Sequence, residues 1–308
     1  MLPTVPDAPA YCPTRHCRSI FHRINGLNYH VREWGDPTLP LVVMVHGWMD
    51  VAASFQFLVD EFQHEWHVVA PDWRGYGQTD WSGQKCYWMP DYLADLEALL
   101  DLYAPAEPVR LVGHSMGGNI ATLYAGVRPE RIRCLVNLEG LGLPGDAPEK
   151  ASGRLAKWLD EMRAPPTLGT YDSLAGVVAR LQKTNPRLTD LRAGYLAENW
   201  SRPGPDGRYE ILGDPAHKVV NPYLYRADEA AAIWSAITAP VLWLMARESD
   251  YAQRMAAYPG YAERIALIPQ VKRAWIEGAG HMMHHDQPAV LAGHIEAFFA
   301  ASAAPPLA

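Results

Sequence analysis

Cysteine is scarce, with four in 308 residues. Cys12 and Cys17 have a metal-like gap, but Cys86 and Cys134 form no second pair facing them. Neither a disulfide framework nor a structural zinc set follows, and free thiols are expected. Long apolar runs are missing too: no segment approaches the ~18 residues needed to cross a bilayer. The first residues, MLPTVPDAPAYCPTRHC, have neither the basic start nor the apolar stretch of a secretory signal. The expectation is a cytoplasmic protein without a membrane span. Basic charge is also short, with 27 Lys and Arg against 34 Asp and Glu, a net of -7. Without a clustered cationic excess there is no counterion-releasing surface, which excludes a nucleic-acid partner. Phenylalanine is rare at six, whereas Trp (11), Tyr (15) and Pro (26) are plentiful. Large rings with a polar edge are therefore wanted somewhere.

A chain of this length fits two units, or one large domain carrying an insertion. Residues 19 to 34 read as two strands around Asn25-Gly26, a dipeptide suited to a tight hairpin. Short apolar runs follow at Leu41–Val45, His67–Ala70, Val109–Val112, Ile132–Leu138, Val241–Met245 and Val271–Ile276. Such runs, bounded by turn residues, suit strands buried on both faces of a parallel sheet. Helical spacing appears between them, at Tyr92, Leu96, Leu99 and Tyr103 behind a candidate N-cap at Asp91, and at Leu291, Ile295, Phe298 and Phe299 behind Pro288. Alternating strand and helix predict a doubly wound, mostly parallel α/β sheet with an N-terminal hairpin. The alternation stops over 143–236, where helical pieces at Ala151–Arg163 and Ser173–Gln182 lie among Pro-rich breaks and many Trp and Tyr residues. The predicted division is an N-terminal extension (1–18), a core (19–142 and 237–308) and an inserted, mainly helical cap (143–236).

Gly113-His114-Ser115-Met116-Gly117 is a G-x-S-x-G element between a predicted strand and a predicted helix, Asn119–Val127. A sharp strand-to-helix turn would hold Ser115 clear of the sheet at a helix N-terminus, where backbone N–H groups favour a developing oxyanion. Glycines two positions away on either side remove side chains that would collide there.

With this element the chain resembles the α/β-hydrolase superfamily over nearly its whole length. Val45-His46-Gly47-Trp48 is similar to that family's oxyanion loop, Pro71-Asp72-Trp73-Arg74-Gly75-Tyr76-Gly77 to its D-x-R-G-x-G loop, and Gly278-Ala279-Gly280-His281 to the turn bearing its histidine. The resemblance implies Ser115 as nucleophile, His281 as base, and the backbone N–H groups of Trp48 and Met116 as oxyanion donors. Asp72 and Arg74 then tie down a loop. His284 and His285 are taken as surface or helix-entry residues. An H-x-x-H-H metal site is set aside because no Cys, Asp or Glu stands at ligand spacing and a helix would splay the rings.

The triad acid stays open. By resemblance it follows the strand Val241–Met245, three residues after Ala246, but that position is Ser249; Glu248 and Asp250 flank it. Glu139 closes the preceding strand, where some haloalkane dehalogenases carry their acid. A buried carboxylate there needs a partner, which a histidine that becomes positive during turnover supplies. Glu139 is placed first, Asp250 second and Glu248 third. The implied activity is hydrolysis of small to medium apolar carboxylic esters through an acyl-enzyme, with no cofactor or metal. Relatives that open epoxides or remove halide use an aspartate where Ser115 stands. Acyl transfer, C–C bond hydrolysis and aminopeptidase activity share the triad logic. A non-catalytic ligand receptor on the same fold is the reading from another class.

Overall fold

The computed structural model describes residues 10–302; the first nine residues of the predicted N-terminal extension lie outside the described residues. Strands β1 (Cys17–Ile24) and β2 (Leu27–Trp34) pair antiparallel, with Ile24 opposite Leu27. Asn25 and Gly26 have φ of 46° and 84°, the two left-handed residues that a two-residue type I′ turn requires. After the hairpin come β3 (Leu41–Val45), α1 (Gln56–Asp60), β4 (His67–Pro71), α2 (Met89–Tyr103), β5 (Val109–His114), α3 (Met116–Val127) and β6 (Ile132–Leu138). A long excursion holds α4 (Ala151–Arg163), β7 (Thr170–Tyr171), α5 (Leu174–Thr184), α6 (Asp190–Trp200), β8 (Ser201–Pro203), β9 (Tyr209–Ile211) and α7 (Ala227–Ser235). The chain then completes the sheet with β10 (Val241–Ala246), α8 (Asp250–Ala256), α9 (Tyr261–Ala266), β11 (Val271–Ile276), α10 (Met283–Asp286) and α11 (Pro288–Ser302).

The large sheet has the order β1-β2-β4-β3-β5-β6-β10-β11. Only the β1/β2 and β2/β4 pairs are antiparallel. This is the α/β fold that the strand runs predict. Its two cores divide by residue parity, as the two-residue period of a strand requires. Val43, Val45, Leu111 and Trp243 share one cluster with Leu96 of α2 and Ile120 of α3, while Val42, Met44, Val112 and Leu244 share the other with Leu291 and Ile295 of α11. Burial on both faces explains why these strands read as unbroken apolar runs; each such side chain contributes about 1.5–3 kcal/mol.

Some boundaries differ from the sequence reading. Helix α2 starts at Met89 with Trp88 in the capping position and a proline in its first turn, so Asp91 is a first-turn acid and not the cap. Proline is tolerated there because its missing N–H would have no helical acceptor, and Asp91 faces the positive end of the helix dipole. Helix α3 begins directly after Ser115, three residues before the predicted start. In the excursion, Ser173 Oγ accepts the Gly176 N–H and caps α5. The small antiparallel sheet β7-β9-β8 was not predicted, since strands of two or three residues carry no periodicity. The excursion docks on the core's loops. Trp200 Nε1 donates to the Met49 carbonyl at 2.9 Å, and His217 is stacked between Tyr76 and Tyr87 at 3.8 and 3.7 Å.

Candidate active site

Strand β5 ends at His114 and α3 begins at Met116, so Ser115 alone turns the chain. It does so at φ 51°, ψ -115°, a conformation that costs a non-glycine residue about 1–3 kcal/mol and persists only where its surroundings fix it. They do: Ser115 N–H donates to the Leu138 carbonyl at 2.8 Å, and Asn119 N–H donates to the Ser115 carbonyl at 2.9 Å. The flanking glycines are required by close approach. A Cβ on Gly113 would sit 2.6 Å from the Gly117 carbonyl oxygen, and one on Gly117 2.2 Å from that of Val45.

His281 reaches this serine from the turn after β11. Its Nε2 lies 2.9 Å from Ser115 Oγ and its Nδ1 2.7 Å from Glu139 Oε2. Glu139 is fully buried and, as the first residue past β6, also has positive φ, 52°. Its other contacts are the Ala246 N–H on Oε1 and the Ser249 hydroxyl on Oε2, both at 2.7 Å. Three donors thus offset the desolvation of one buried carboxylate. The structure brings Ser115, His281 and Glu139 together. Asp250 and Glu248 are both exposed: Asp250 opens α8, Glu248 pairs with Arg187, and neither bonds to His281 among the described residues.

Ser249, set aside as unable to be the acid, instead donates to the Glu139 carboxylate. Two further residues escaped the sequence reading. Asn137 Oδ1 accepts the Gly140 N–H at 2.6 Å while its Nδ2 donates to Thr122 Oγ1 at 2.8 Å, and Asn119 Oδ1 accepts the Gly142 N–H at 2.7 Å. Together they fix the turn carrying Glu139 against the helix behind Ser115. A lone amide inside the apolar run Leu135-Val136-Asn137-Leu138 was the available signal, because buried polar groups are there to be bonded.

Trp48 and Met116 flank the serine. Met116 opens α3, so its N–H is among the first-turn groups that no helical carbonyl reaches. Trp48 N–H has no acceptor among the described residues, and the next residue, Met49, has positive φ, 54°. His46 anchors this loop. With Nδ1 beside the Gly47 carbonyl at 2.8 Å and Nε2 accepting the Trp73 N–H at 2.9 Å, the backbone partners fix its tautomer. Asp72 accepts from His30 Nδ1 and the Ala52 and Gln78 N–H groups, and Arg74 grips Asp95 at 2.5 and 2.6 Å. Both residues brace loops.

His284 and His285 are buried, against the expectation of a surface position. Helix α10 is a single turn, and its two imidazoles pack inward against Phe55 and Phe57. His284 packs on His114 and His285 at 4.4 and 4.2 Å. Burial, reinforced by the neighbouring His284 ring, holds the imidazoles of His114 and His285 well below their ordinary pKa. The assumption that no acid stands near them also fails: Asp50, distant in sequence, brings a carboxylate oxygen within 4.8 Å of ligand atoms on His284 and His285. That carboxylate already accepts from Val51 N–H and Ser54 Oγ.

A cavity of about 470 Å³ opens over Ser115 and His281, walled by Leu168, Leu181, Leu196 and Met282 and bordered by Trp48 and Trp200. A larger groove of about 710 Å³, lined by Glu33, Tyr103 and Arg110, contains none of these residues. No helix among the described residues is long and apolar enough to cross a membrane.

A family model described as the alpha/beta hydrolase fold matches residues 40–288. A serine hydrolase-like protein of Danio rerio is 26% identical over 280 residues, covering 86% of this chain and 83% of the other. A 3-hydroxybutyrate-oligomer hydrolase of Cupriavidus necator is 28% identical over 283 residues, covering 87% and 91%. Among solved structures, the thioesterase domain from the curacin biosynthetic pathway superposes with a TM-score of 0.80 at 25% identity, covering 92% of this chain and 99% of that one.

Proposed function

The chain belongs to the α/β-hydrolase fold family, and from that premise we infer that it is a serine hydrolase that cleaves carboxylic esters of small to medium apolar substrates. One observation carries the reading: Ser115 Oγ, the His281 imidazole and the Glu139 carboxylate form one hydrogen-bonded line, at 2.9 and 2.7 Å. A carboxylate only accepts, so the His281 proton sits on Nδ1 and the lone pair on Nε2 faces the serine. As Ser115 Oγ attacks the ester carbonyl, its proton passes to Nε2. The Trp48 and Met116 N–H groups receive the oxyanion, and Glu139 stabilises the imidazolium. Collapse expels the alcohol, which takes the proton from Nε2. Water, deprotonated by the same nitrogen, then releases the acid and restores Ser115.

The cavity volume falls in the usual ~300–1,000 Å³ range for small-molecule sites, and its apolar walls suit an aliphatic or aromatic ester portion. Residues 143–236 act in this reading as the cap over a core of 19–142 and 237–308. Relatives named as a hydrolase, a serine hydrolase-like protein and a thioesterase support acyl transfer to water. Ser115→Ala is expected to abolish p-nitrophenyl butyrate turnover and fluorophosphonate labelling while the circular dichroism spectrum is kept. Turnover retained by that variant refutes the proposal.

A further inference from the structure

We propose that the preferred ester carries an anionic group, a carboxylate in the first instance, held by Arg180 and Lys218 at the border of the cavity that contains Ser115; this rests on the serine-hydrolase reading above. The cavity is apolar in most of its wall, but its titratable lining is one-sided. Arg180 and Lys218 both border it, and the one acidic side chain in the lining is Asp50. Asp50 is buried and committed to Val51 N–H and Ser54 Oγ, so it compensates neither cation.

The two cations come from separate pieces of the excursion: Arg180 from α5, Lys218 from the turn Pro215–Lys218. Each bonds to a neutral oxygen. Arg180 Nη1 donates to Thr184 Oγ1 at 2.6 Å and Lys218 Nζ to the Thr167 carbonyl at 3.0 Å. Neither has a carboxylate partner among the described residues, whereas three other arginines of the excursion do: Arg187 pairs with Glu248, Arg202 with Glu210 and Arg208 with Asp172. In a chain of net charge -7, two uncompensated cations converging on the serine's cavity are a charge deficit that a bound anion fills. A guanidinium has five donors and an ammonium three, so most of both remain for a ligand. Both groups are solvent-exposed, which keeps the attraction sensitive to salt.

The test uses two isosteric pairs with the full chain. On the acyl side, mono-p-nitrophenyl glutarate is compared with p-nitrophenyl 5-methylhexanoate; on the alcohol side, 5-acetoxypentanoate is compared with 5-methylhexyl acetate. The expected result is a kcat/KM higher by roughly tenfold for the anionic member of at least one pair. That excess shrinks at about 0.5 M NaCl and falls to near parity in the Arg180→Met/Lys218→Met double variant. Parity or a neutral preference in both pairs, or an excess intact in the double variant, overturns the anionic specificity and leaves the hydrolase standing. Absence of turnover on all four esters together with no fluorophosphonate labelling overturns both.

Discussion

Replacing Glu139 by Gln is nearly isosteric; it reverses the direction of a hydrogen bond and removes a negative charge. In the native site Oε1 accepts the Ala246 N–H, while Oε2 accepts from His281 Nδ1 and the Ser249 hydroxyl. The amide of Gln has one acceptor end and one donor end. Its carbonyl must take the Oε1 position, because the Ala246 N–H cannot reverse. The NH2 therefore faces His281 Nδ1, which has to accept, and the imidazole proton moves to Nε2, where it points at Ser115 Oγ. The base is then blocked, and the imidazolium has lost its counter-charge. Together these should lower kcat by about 10³–10⁴, equivalent to roughly 4–5.5 kcal/mol of transition-state stabilisation. Steady-state kinetics on p-nitrophenyl butyrate measure it, with Asp250→Asn run alongside and expected to keep kcat within about twofold, since a surface substitution away from such features changes little. A Glu139→Gln enzyme retaining more than a tenth of wild-type kcat, with Asp250→Asn collapsed, would refute the geometry argued here and return the acid to α8.

Other outcomes follow from neighbouring observations. Ser249→Ala removes one of three donors to the Glu139 carboxylate and should lower kcat about tenfold, with Ser249→Thr recovering most of it; the cost reflects one buried charge-assisted hydrogen bond of about 1.5–3 kcal/mol. Arg74→Met leaves the Asp95 carboxylate buried without its cation and should destabilise the fold by about 3–5 kcal/mol, read as a lower urea midpoint. Stability should fall with acid. Burial lowers the His217 pKa to about 3 and holds those of His114 and His285 well below the ordinary value. The unfolded chain therefore takes up protons that the fold refuses. The contribution is complete above about pH 6.5 and is lost as pH drops through the window toward the depressed folded values, at up to ~1.4 kcal/mol per unit for each group. A thermal midpoint unchanged between pH 7.5 and 5 would count against these imidazoles being neutral.

The sheet was legible because its signal is repeated: most of the parallel strands are largely apolar, and the parity of Val42 against Val43 decides only which face each residue covers. The places of Ser115 and His281 were legible because backbone constraint writes itself into glycine, at Gly113 and Gly117 around Ser115 and at Gly278, with positive φ, before His281. The acid was only narrowed, because an isolated carboxylate has no local signature and its three donors come from strand ends distant in sequence. Ser249 and Asn137 were missed for a related reason: Ser249 meets Glu139 only when β6 and β10 pair, and Asn137 meets Thr122 only when α3 packs on β6. His284 and His285 misled because their polarity suggests solvent, while one short helical turn buries them among aromatic rings. The three-stranded sheet of the excursion is too short for any periodicity to announce it.

Strands β6 and β10 lie side by side in register, Leu138 opposite Leu244, so the loops leaving them emerge at one place. Glu139 from the first accepts the hydroxyl of Ser249 from the second on the same oxygen that meets the His281 ring nitrogen. A carboxylate delivered by either strand could serve the same imidazole, which makes the acid a property of a location in space and not of a position in the chain. Pattern searches that demand an acid after the later strand would pass over such an enzyme.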